Sequence, residues 1–450
     1  MKDQIMRDQI NKLALSLQDE MVKLRRDFHR HAETGWTEFR TASIVARHLE
    51  SLGFEVLVGE DVIEESAMMG VPPADELERH MERAKAQGAH TQYVDKMKGG
   101  KTGVVGILKT GRPGPVVALR FDMDANDLNE STSENHFPVK EGFASINPGA
   151  MHGCGHDGHT AIGMGLARLL TQIKDQLTGT VKLCFQPAEE GVRGAYSMVC
   201  KGLFDDVDYM LAGHLGFGAK TGEVICSWDG LLATSKLDAE FKGVPAHAGA
   251  KPEEGKSALL AAAAATMSLQ GIYRHSKGTS RINIGVLQAG TGRNVVPDYA
   301  VIKIETRGAT SEIDAFVKNE AVRMINAAAK MYDVQVEIKE MGGAKAVSSD
   351  PELSALTKEA AAELDIFDTV IEYMTQSGSE DYSYMMERVQ NRGGKAGFFM
   401  VGANCAAGPH TTMYDFDERA LSNAVALFAM MVIRCGKYSG LHNREHEIQG

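Results

Sequence analysis

Cysteine, histidine and paired carboxylate residues occur at a few places along this 450-residue chain, and most of them follow short apolar runs. The segment Met-His-Gly-Cys-Gly-His-Asp-Gly-His covers residues 151–159, and a Glu-Glu pair occupies positions 189 and 190. Imidazole and thiolate favour zinc and similar transition metals, and carboxylate also suits manganese. The residues of this set are Asp122, Asp124, Cys154, His156, Glu189, Glu190, His214 and His410.

Five or more such ligands exceed what one tetrahedral ion uses, so the set favours two metal ions about 3.5–4 Å apart. Of the adjacent glutamates, one can bind metal while the other moves a proton. Asp122 and Asp124 are expected to orient ligands, because carboxylates commonly hold ligating histidines in place. Taken singly, each residue also has a purely structural explanation, and only their common position favours a metal site.

The apolar runs predict the strands of an α/β layer with a mainly parallel sheet, since helical periods at 159–174 and 194–201 separate several of them. Ligands bind at the carboxyl ends of the strands in such sheets, and His214 and the other polar residues follow these ends. The predicted strands cover residues 104–108, 116–121, 180–185, 209–212 and 397–401.

The middle of the chain changes pattern to βαββαβ, the order of a ferredoxin-like unit. We therefore predict a discontinuous catalytic domain at 1–230 and 337–450, with an α+β domain inserted at 231–336 as a lid or dimerisation domain. The predicted strands of the insert cover 235–241, 281–288, 301–306 and 334–339, and its helices cover 253–273 and 311–330.

Composition excludes several classes of protein. The 48 Lys and Arg against 60 Asp and Glu give a net charge of -12, which disfavours binding to nucleic acid or to an anionic membrane. The six cysteines have no paired spacing, so a disulfide framework is not expected. The charged N-terminal segment does not resemble a signal peptide, and we expect a cytoplasmic protein.

Five motifs, MHGCGHDGHTA, QPAEEG, VPAHAGAKP, GRNVVPD and SEDYS, together resemble the metal-dependent amidohydrolases that include hippurate hydrolase, N-acyl-amino-acid hydrolases and plant auxin-conjugate hydrolases. The resemblance covers nearly the whole chain. It implies Cys154, His156, Glu190, His214 and His410 as ligands of two divalent ions, manganese or zinc. It also implies Glu189 as the general base and His247, from a neighbouring subunit, as the donor to the oxyanion.

For the substrate carboxylate the resemblance implies Asn294 and Arg307. Arg293 and Lys251 are the further cations near these motifs, and they are expected to bind a second carboxylate or to be ordinary surface charges. The chain departs from the family around His410 and after His214, where Leu-Gly-Phe-Gly replaces the usual Trp-Pro step. Asp381 is expected either to cap a helix or to serve the site.

A closer resemblance, to enzymes of this family that hydrolyse an N-aroyl-glutamate, rests on FDMDANDLNE, HAGAKPEEG and QAGTGRNVVPDYAVIKIETRGA. It implies cleavage of p-aminobenzoyl-glutamate, a folate catabolite, to p-aminobenzoate and glutamate. The expected assembly is a homodimer, or a heterodimer with a related B-type subunit. The alternative is a general N-acyl-amino-acid deacylase or dipeptidase, and a non-catalytic subunit is a third possibility that the retained Glu189 argues against.

Overall fold

The computed structural model describes residues 2–375 and 378–437. Its helices are α1 (Lys2–Ser16), α2 (Gln18–Arg30), α3 (Phe39–Ser51), α4 (Ala74–Ala86), α5 (Thr91–Val94), α6 (Phe137–Lys140), α7 (His156–Gln172), α8 (Ala195–Cys200), α9 (Ala258–Leu269), α10 (Ser311–Met331), α11 (Pro351–Leu364), α12 (Tyr382–Asn391) and α13 (Ala420–Lys437). Its strands are β1 (Glu55–Val58), β2 (Val104–Lys109), β3 (Val116–Asp122), β4 (Thr180–Gln186), β5 (Tyr209–Leu215), β6 (Glu223–Ile225), β7 (Trp228–Asp229), β8 (Ala233–Lys242), β9 (Ser280–Ala289), β10 (Tyr299–Gly308), β11 (Gln335–Ala344), β12 (Thr369–Ile371), β13 (Met374–Thr375) and β14 (Lys395–Val401).

Eight strands form the main sheet in the order β1-β2-β4-β3-β5-β14-β6-β12. Its centre is parallel, because β3 pairs with β4 and β5, and β5 pairs with β14. The pairs β1–β2, β2–β4 and β6–β14 are antiparallel. Helices cover the central strands, which are almost wholly buried, as continuous apolar runs predict. The predicted mixed, mainly parallel sheet with flanking helices is confirmed.

Strand β5 is longer than its apolar run, which ends at Ala212. It continues to Leu215, so His214 lies within the strand and pairs in register with Met400 of β14. The expectation that His214 follows the strand was therefore wrong. The strand tolerates a polar residue there because it is near its carboxyl end, where the sheet opens toward the site.

Four antiparallel strands form a second sheet in the order β11-β8-β10-β9, covered by α9 and α10. It has a hydrophobic core of its own, which includes Leu237, Phe241 and Ile325. We call this unit, residues 233–344, the lid. Its last strand reaches Ala344, so the boundary expected at residue 336 falls inside β11. The division of the chain into two folding domains remains a prediction.

The first lid helix is shorter than predicted. Residues Pro252–Glu254 form a single 3₁₀ turn, and α9 begins only after Ser257, whose hydroxyl accepts a hydrogen bond from the backbone N–H of Leu260. Gly255 breaks the predicted helix before that cap, and Gly271 follows its end. The alanine-rich run alone therefore forms the helix.

Within the described ranges, α13 is the helix long and apolar enough to cross a membrane. It is mostly buried and packs against α1, α7 and α11. Length and composition of this kind are equally typical of a helix in a protein core.

Candidate metal centre

The turn before α7 brings two of the predicted ligands together. Gly155, the residue before the helix, has a φ of 90°, a left-handed conformation that glycine adopts without strain. This turn places Cys154 immediately outside the helix and His156 in its first turn, and both side chains are buried. The N-terminal end of α7 therefore faces the carboxyl ends of β3 and β5.

Backbone carbonyls fix the orientation of both buried histidines. His156 Nδ1 lies 2.8 Å from the carbonyl oxygen of Asp124, and His214 Nδ1 lies 2.8 Å from that of Leu215. Since each Nδ1–H donates to a carbonyl, Nε2 is the nitrogen of each ring that is left for a metal ion. His156 Nε2 is buried without a hydrogen-bond partner among the described residues, and His214 Nε2 lies 3.6 Å from Cys154 Sγ. Ligating histidines are typically held in this way.

The five predicted ligands fall into overlapping groups whose ligand atoms lie within 4.8 Å of one another. Cys154, His156 and His214 form one group, and Cys154, Glu190 and His410 form a second. These two groups would hold two metal ions if both were bound, and Cys154 belongs to both groups. Burial raises the pKa of the Cys154 thiol to about 12, so a bound cation is what would keep it ionised.

The charges around His156 also suit a cation. Burial lowers the pKa of this imidazole, but the Asp122 carboxylate and the hydrogen bonds with Asp124 and Cys154 together outweigh burial, so the pKa lies well above its usual value. An environment that favours a proton on Nε2 favours a metal ion at the same place. His159 is different, because Nδ1 contacts Asp122 at 2.6 Å and Nε2 accepts a hydrogen bond from the N–H of Leu215. Both nitrogens of His159 are thus used inside the protein.

The two glutamates differ in their surroundings. Burial, followed by the charge of Glu380, raises the pKa of Glu189 well above its usual value. Burial alone would raise the pKa of Glu190, but the hydrogen bond with His410 and the charges of His156 and His410 together outweigh burial, so the pKa is lowered. Glu189 thus suits proton transfer, and Glu190 suits a metal ligand. The Asp124 carboxylate accepts hydrogen bonds from both backbone N–H groups, at 2.9 and 2.8 Å, and so orients the pair.

A buried ion network supports this region from behind. Arg120 donates to Asp122 at 2.6 Å and to Glu380 at 2.8 Å. Asp381 accepts hydrogen bonds from the backbone N–H groups of Gly194 and Ala195, so it caps the start of α8. The helix that Asp381 precedes, α12, has no side-chain cap. The expectation that Asp381 caps the helix it precedes was therefore wrong, because its carboxylate is already used at the start of α8.

A cavity of about 490 Å³ opens over the ligands, between the main sheet and the lid. Arg307 lines it and contacts Glu305 at 3.1 Å. The aromatic rings of Phe217 and Trp228 line it as well, with centroids 5.8 Å apart. Phe217 has a φ of 46°, which is strained for a residue other than glycine and is typical of functional sites.

The remaining predicted site residues do not line this cavity. His247 Nδ1 accepts hydrogen bonds from the backbone N–H groups of Gly249 and Ala250, and Lys251 pairs with Glu254 at 2.6 Å. All four residues are exposed on the lid, where a second protein chain could contact them. They are His247, Lys251, Arg293 and Asn294.

Sequence reasoning missed several residues of the cavity. Glu380 lies inside the SEDYS motif, and that motif was the available signal. Lys236 and Phe217 line the cavity too, but no spacing or motif marked them. Lys236 faces the cavity because of the register of β8, and Phe217 faces it because of the turn after β5.

Paired groups of cysteine, histidine and glutamate ligands at the carboxyl ends of a mixed α/β sheet define a metal-dependent hydrolase. The chain belongs to peptidase family M20/M25/M40, whose family model matches residues 118–434. The family resemblance of the sequence motifs is thereby confirmed.

The chain is similar to three members of this family over nearly its whole length. The chain is 50% identical to the A-type subunit of p-aminobenzoyl-glutamate hydrolase from Escherichia coli (strain K12), over 94% of this chain and 97% of the relative. It is 48% identical to indole-3-acetyl-aspartic acid hydrolase of Enterobacter agglomerans, over 94% and 98%. The structure of Bacillus subtilis YXEP, described as a dinuclear metal binding peptidase, matches with 26% identity and a TM-score of 0.64, over 94% and 99%.

Proposed function

We propose that this enzyme hydrolyses the amide bond of an aromatic acyl group joined to an acidic amino acid, with p-aminobenzoyl-glutamate as the substrate. The observation that carries the proposal is the ligand cluster with Glu189 beside it, in a cavity lined by both aromatic rings and cations. The two relatives with 50% and 48% identity are named for substrates that combine an aromatic acyl group with glutamate or aspartate.

Two divalent ions, manganese or zinc, are proposed at Cys154, His156, Glu190, His214 and His410. When bound, such ions supply Lewis acidity and activate water. Glu189 accepts the proton of the attacking water and delivers it to the nitrogen of the departing amino acid. Its raised pKa suits this exchange, because the carboxyl can hold the proton between the two steps.

Arg307 and Asn294 are proposed to bind the α-carboxylate, because a guanidinium binds a carboxylate through two parallel hydrogen bonds. Asn294 lies with His247 on an exposed part of the lid, where the backbone N–H of Ala248 donates to its carbonyl at 3.0 Å. The lid of a second protein chain therefore has to bring Asn294 and His247 to the cavity. His247 would donate to the oxyanion there, and Arg293 and Lys251 would add positive charge.

The partner is proposed to be a second copy of this chain or a related B-type subunit. The Escherichia coli relative, which is named as one subunit of its enzyme, supports a partner of some kind. Among the residues that the structure describes, β9 pairs with β10 alone, so its outer edge has no strand beside it, and α9 exposes Leu260 and Met267. Exposed apolar residues beside a free strand edge are typical of an interface between protein chains.

The test is a substrate panel on the purified protein, with and without a chelator. We expect p-aminobenzoyl-glutamate to be cleaved faster than benzoyl-glycine, acetyl-methionine and simple dipeptides, and we expect chelation to abolish the activity. Equal rates on acetyl-methionine would favour a general deacylase. No cleavage of any substrate by the isolated protein, with activity only after addition of a partner, would favour a subunit that depends on that partner.

A further inference from the structure

We infer that Lys236 is a specificity-determining residue that binds the side-chain carboxylate of the departing amino acid. The inference rests on the proposed function and adds the contact that distinguishes an acidic amino acid from glycine. Lys236 lines the cavity over the ligand cluster, in the same chain as Glu190 and His410.

The position of Lys236 follows from the alternation of β8. Leu237 and Ala239 are buried against the helices of the lid. Because side chains alternate along a strand, Lys236 points away from the lid core and toward the main sheet. It is half-buried, and it also lines a neighbouring cavity of about 440 Å³. Lys236 therefore borders both cavities.

Lys236 has no ion-pair partner among the residues that the structure describes. Glu305 lies opposite Lys236 on β10 but contacts Arg307 instead, at 3.1 Å. On the same sheet, Lys303 pairs with Asp238 at 3.3 Å. A half-buried ammonium without a carboxylate beside a catalytic site can receive one from the substrate.

Register places Lys236 and Arg307 where one molecule can contact both. Arg307 pairs with Thr234, two residues before Lys236 on β8, so the two cations are diagonal neighbours on one face. Diagonal neighbours lie about 7–8 Å apart. Both side chains are long and flexible, so they can close on the two carboxylates of a single glutamate. Arg307 then binds the α-carboxylate and Lys236 the side-chain carboxylate.

The test compares kcat/KM for p-aminobenzoyl-glutamate and p-aminobenzoyl-glycine. Lys236→Met keeps most of the apolar stem and removes the charge. We expect a loss of about 10-fold to 100-fold on the glutamate conjugate, as for a lost charged hydrogen bond, and less than threefold on the glycine conjugate. Lys303→Met is the matched control, because its ammonium is already paired, and it is expected to change neither value by more than threefold.

Charge reversal gives a second measurement. Lys236→Glu should cleave p-aminobenzoyl-lysine faster than the parent enzyme does. Equal losses on the glutamate and glycine conjugates in Lys236→Met, or no loss on glutamate, would overturn the inference. So would a larger loss of glutamate preference in the Arg293→Ala/Lys251→Ala double variant than in Lys236→Met. If the parent enzyme cleaves neither conjugate, the proposed function itself fails instead.

Discussion

Backbone carbonyl groups determine which histidine nitrogens are free at the centre of this site. His156 and His214 each use Nδ1 in a hydrogen bond to a carbonyl and leave Nε2 for a metal ion, whereas His159 uses both nitrogens. The motif HGCGHDGH predicts a metal site but does not distinguish the second of its histidines from the third by residue type alone. The distinction depends on whether a neighbouring N–H or a cavity faces the ring.

Glu189→Gln is expected to abolish turnover and to leave the metal content unchanged. The amide is isosteric with the carboxyl but cannot accept the proton of water, and the proposed ligands Glu190 and Cys154 are untouched. Metal content by mass spectrometry and turnover of p-aminobenzoyl-glutamate check this expectation together. Near-normal turnover in the variant would remove Glu189 from the role of general base.

We expect the protein to lose stability at alkaline pH because the thiols of Cys184 and Cys435 are buried. Burial raises the pKa of Cys184 and of Cys435 to about 12 each. In the unfolded chain a thiol ionises near pH 8.5. The contribution of each buried thiol to the free energy of unfolding is therefore complete below that pH and is lost as the pH rises toward about 12. The loss reaches about 2 kcal/mol per thiol at pH 10, at about 1.4 kcal/mol for each unit above pH 8.5.

The measurement is the fall in Tm between pH 8 and pH 10. It should be smaller in Cys435→Ala than in the parent protein, whatever the absolute Tm of the variant. Cys200→Ala, which removes an exposed thiol, is the control and should show the parental fall. An equal fall in Cys435→Ala and the parent would contradict the assignment.

Among the elements, α2 and α7 are joined to the C-terminal part of the chain by one buried arginine. Arg25 donates to Asp157 at 2.8 Å and pairs with Asp415 and Glu418. Its guanidinium also lies 4.5 Å from the centre of the Phe416 ring. Since Asp157 follows the proposed ligand His156, this cluster fixes the first turn of α7 relative to the segment after His410.

Arg25→Met is expected to destabilise the protein by about 3–5 kcal/mol, because it leaves buried carboxylates without a counter-charge. A fall of several degrees in Tm would show this. Arg47→Ala, which removes an exposed pair with Glu50, is the control and should cost less than about 1 kcal/mol. A Tm loss no larger than that of the control would mean that the carboxylates are paired or protonated without Arg25.

At this scale the sequence predicted most elements, because apolar runs bounded by turns mark buried strands directly. The residues that it proposed as metal ligands also lie close together in the structure. The predictions from the sequence were wrong where a contact with another element determines the structure. Strand β5 continues through His214 because β14 pairs with it, and α9 loses its predicted first turns to Gly255 and the Ser257 cap. Asp381 caps α8, which lies far away in the sequence. Contacts of that kind leave no local pattern.

In the whole molecule, the proposed metal ligands belong to the main sheet unit, whereas His247 is exposed on the lid. A site that takes His247 from a neighbouring chain can be restored by mixing two inactive variants. In a mixed dimer of Glu189→Gln and His247→Ala, one of the two sites receives both native residues. Random exchange gives half mixed dimers, so about a quarter of the parental activity should return.

The measurement is the activity of the two purified variants after unfolding and joint refolding, compared with each variant refolded alone. Double-variant protein mixed with the parent is the control for the efficiency of exchange. Absence of recovery, although exchange is demonstrated, would show that His247 does not act in the site of a neighbouring chain.

The chain enters and leaves the lid at adjacent points, because Thr234 of β8 pairs with Ala344 of β11. An insert whose ends lie side by side adds little strain to the unit that carries it. With the predicted division into two folding domains, we therefore expect that the lid can be exchanged as a unit. Recombination at these two positions can transfer another lid, with different cations facing the cavity, onto the same metal centre.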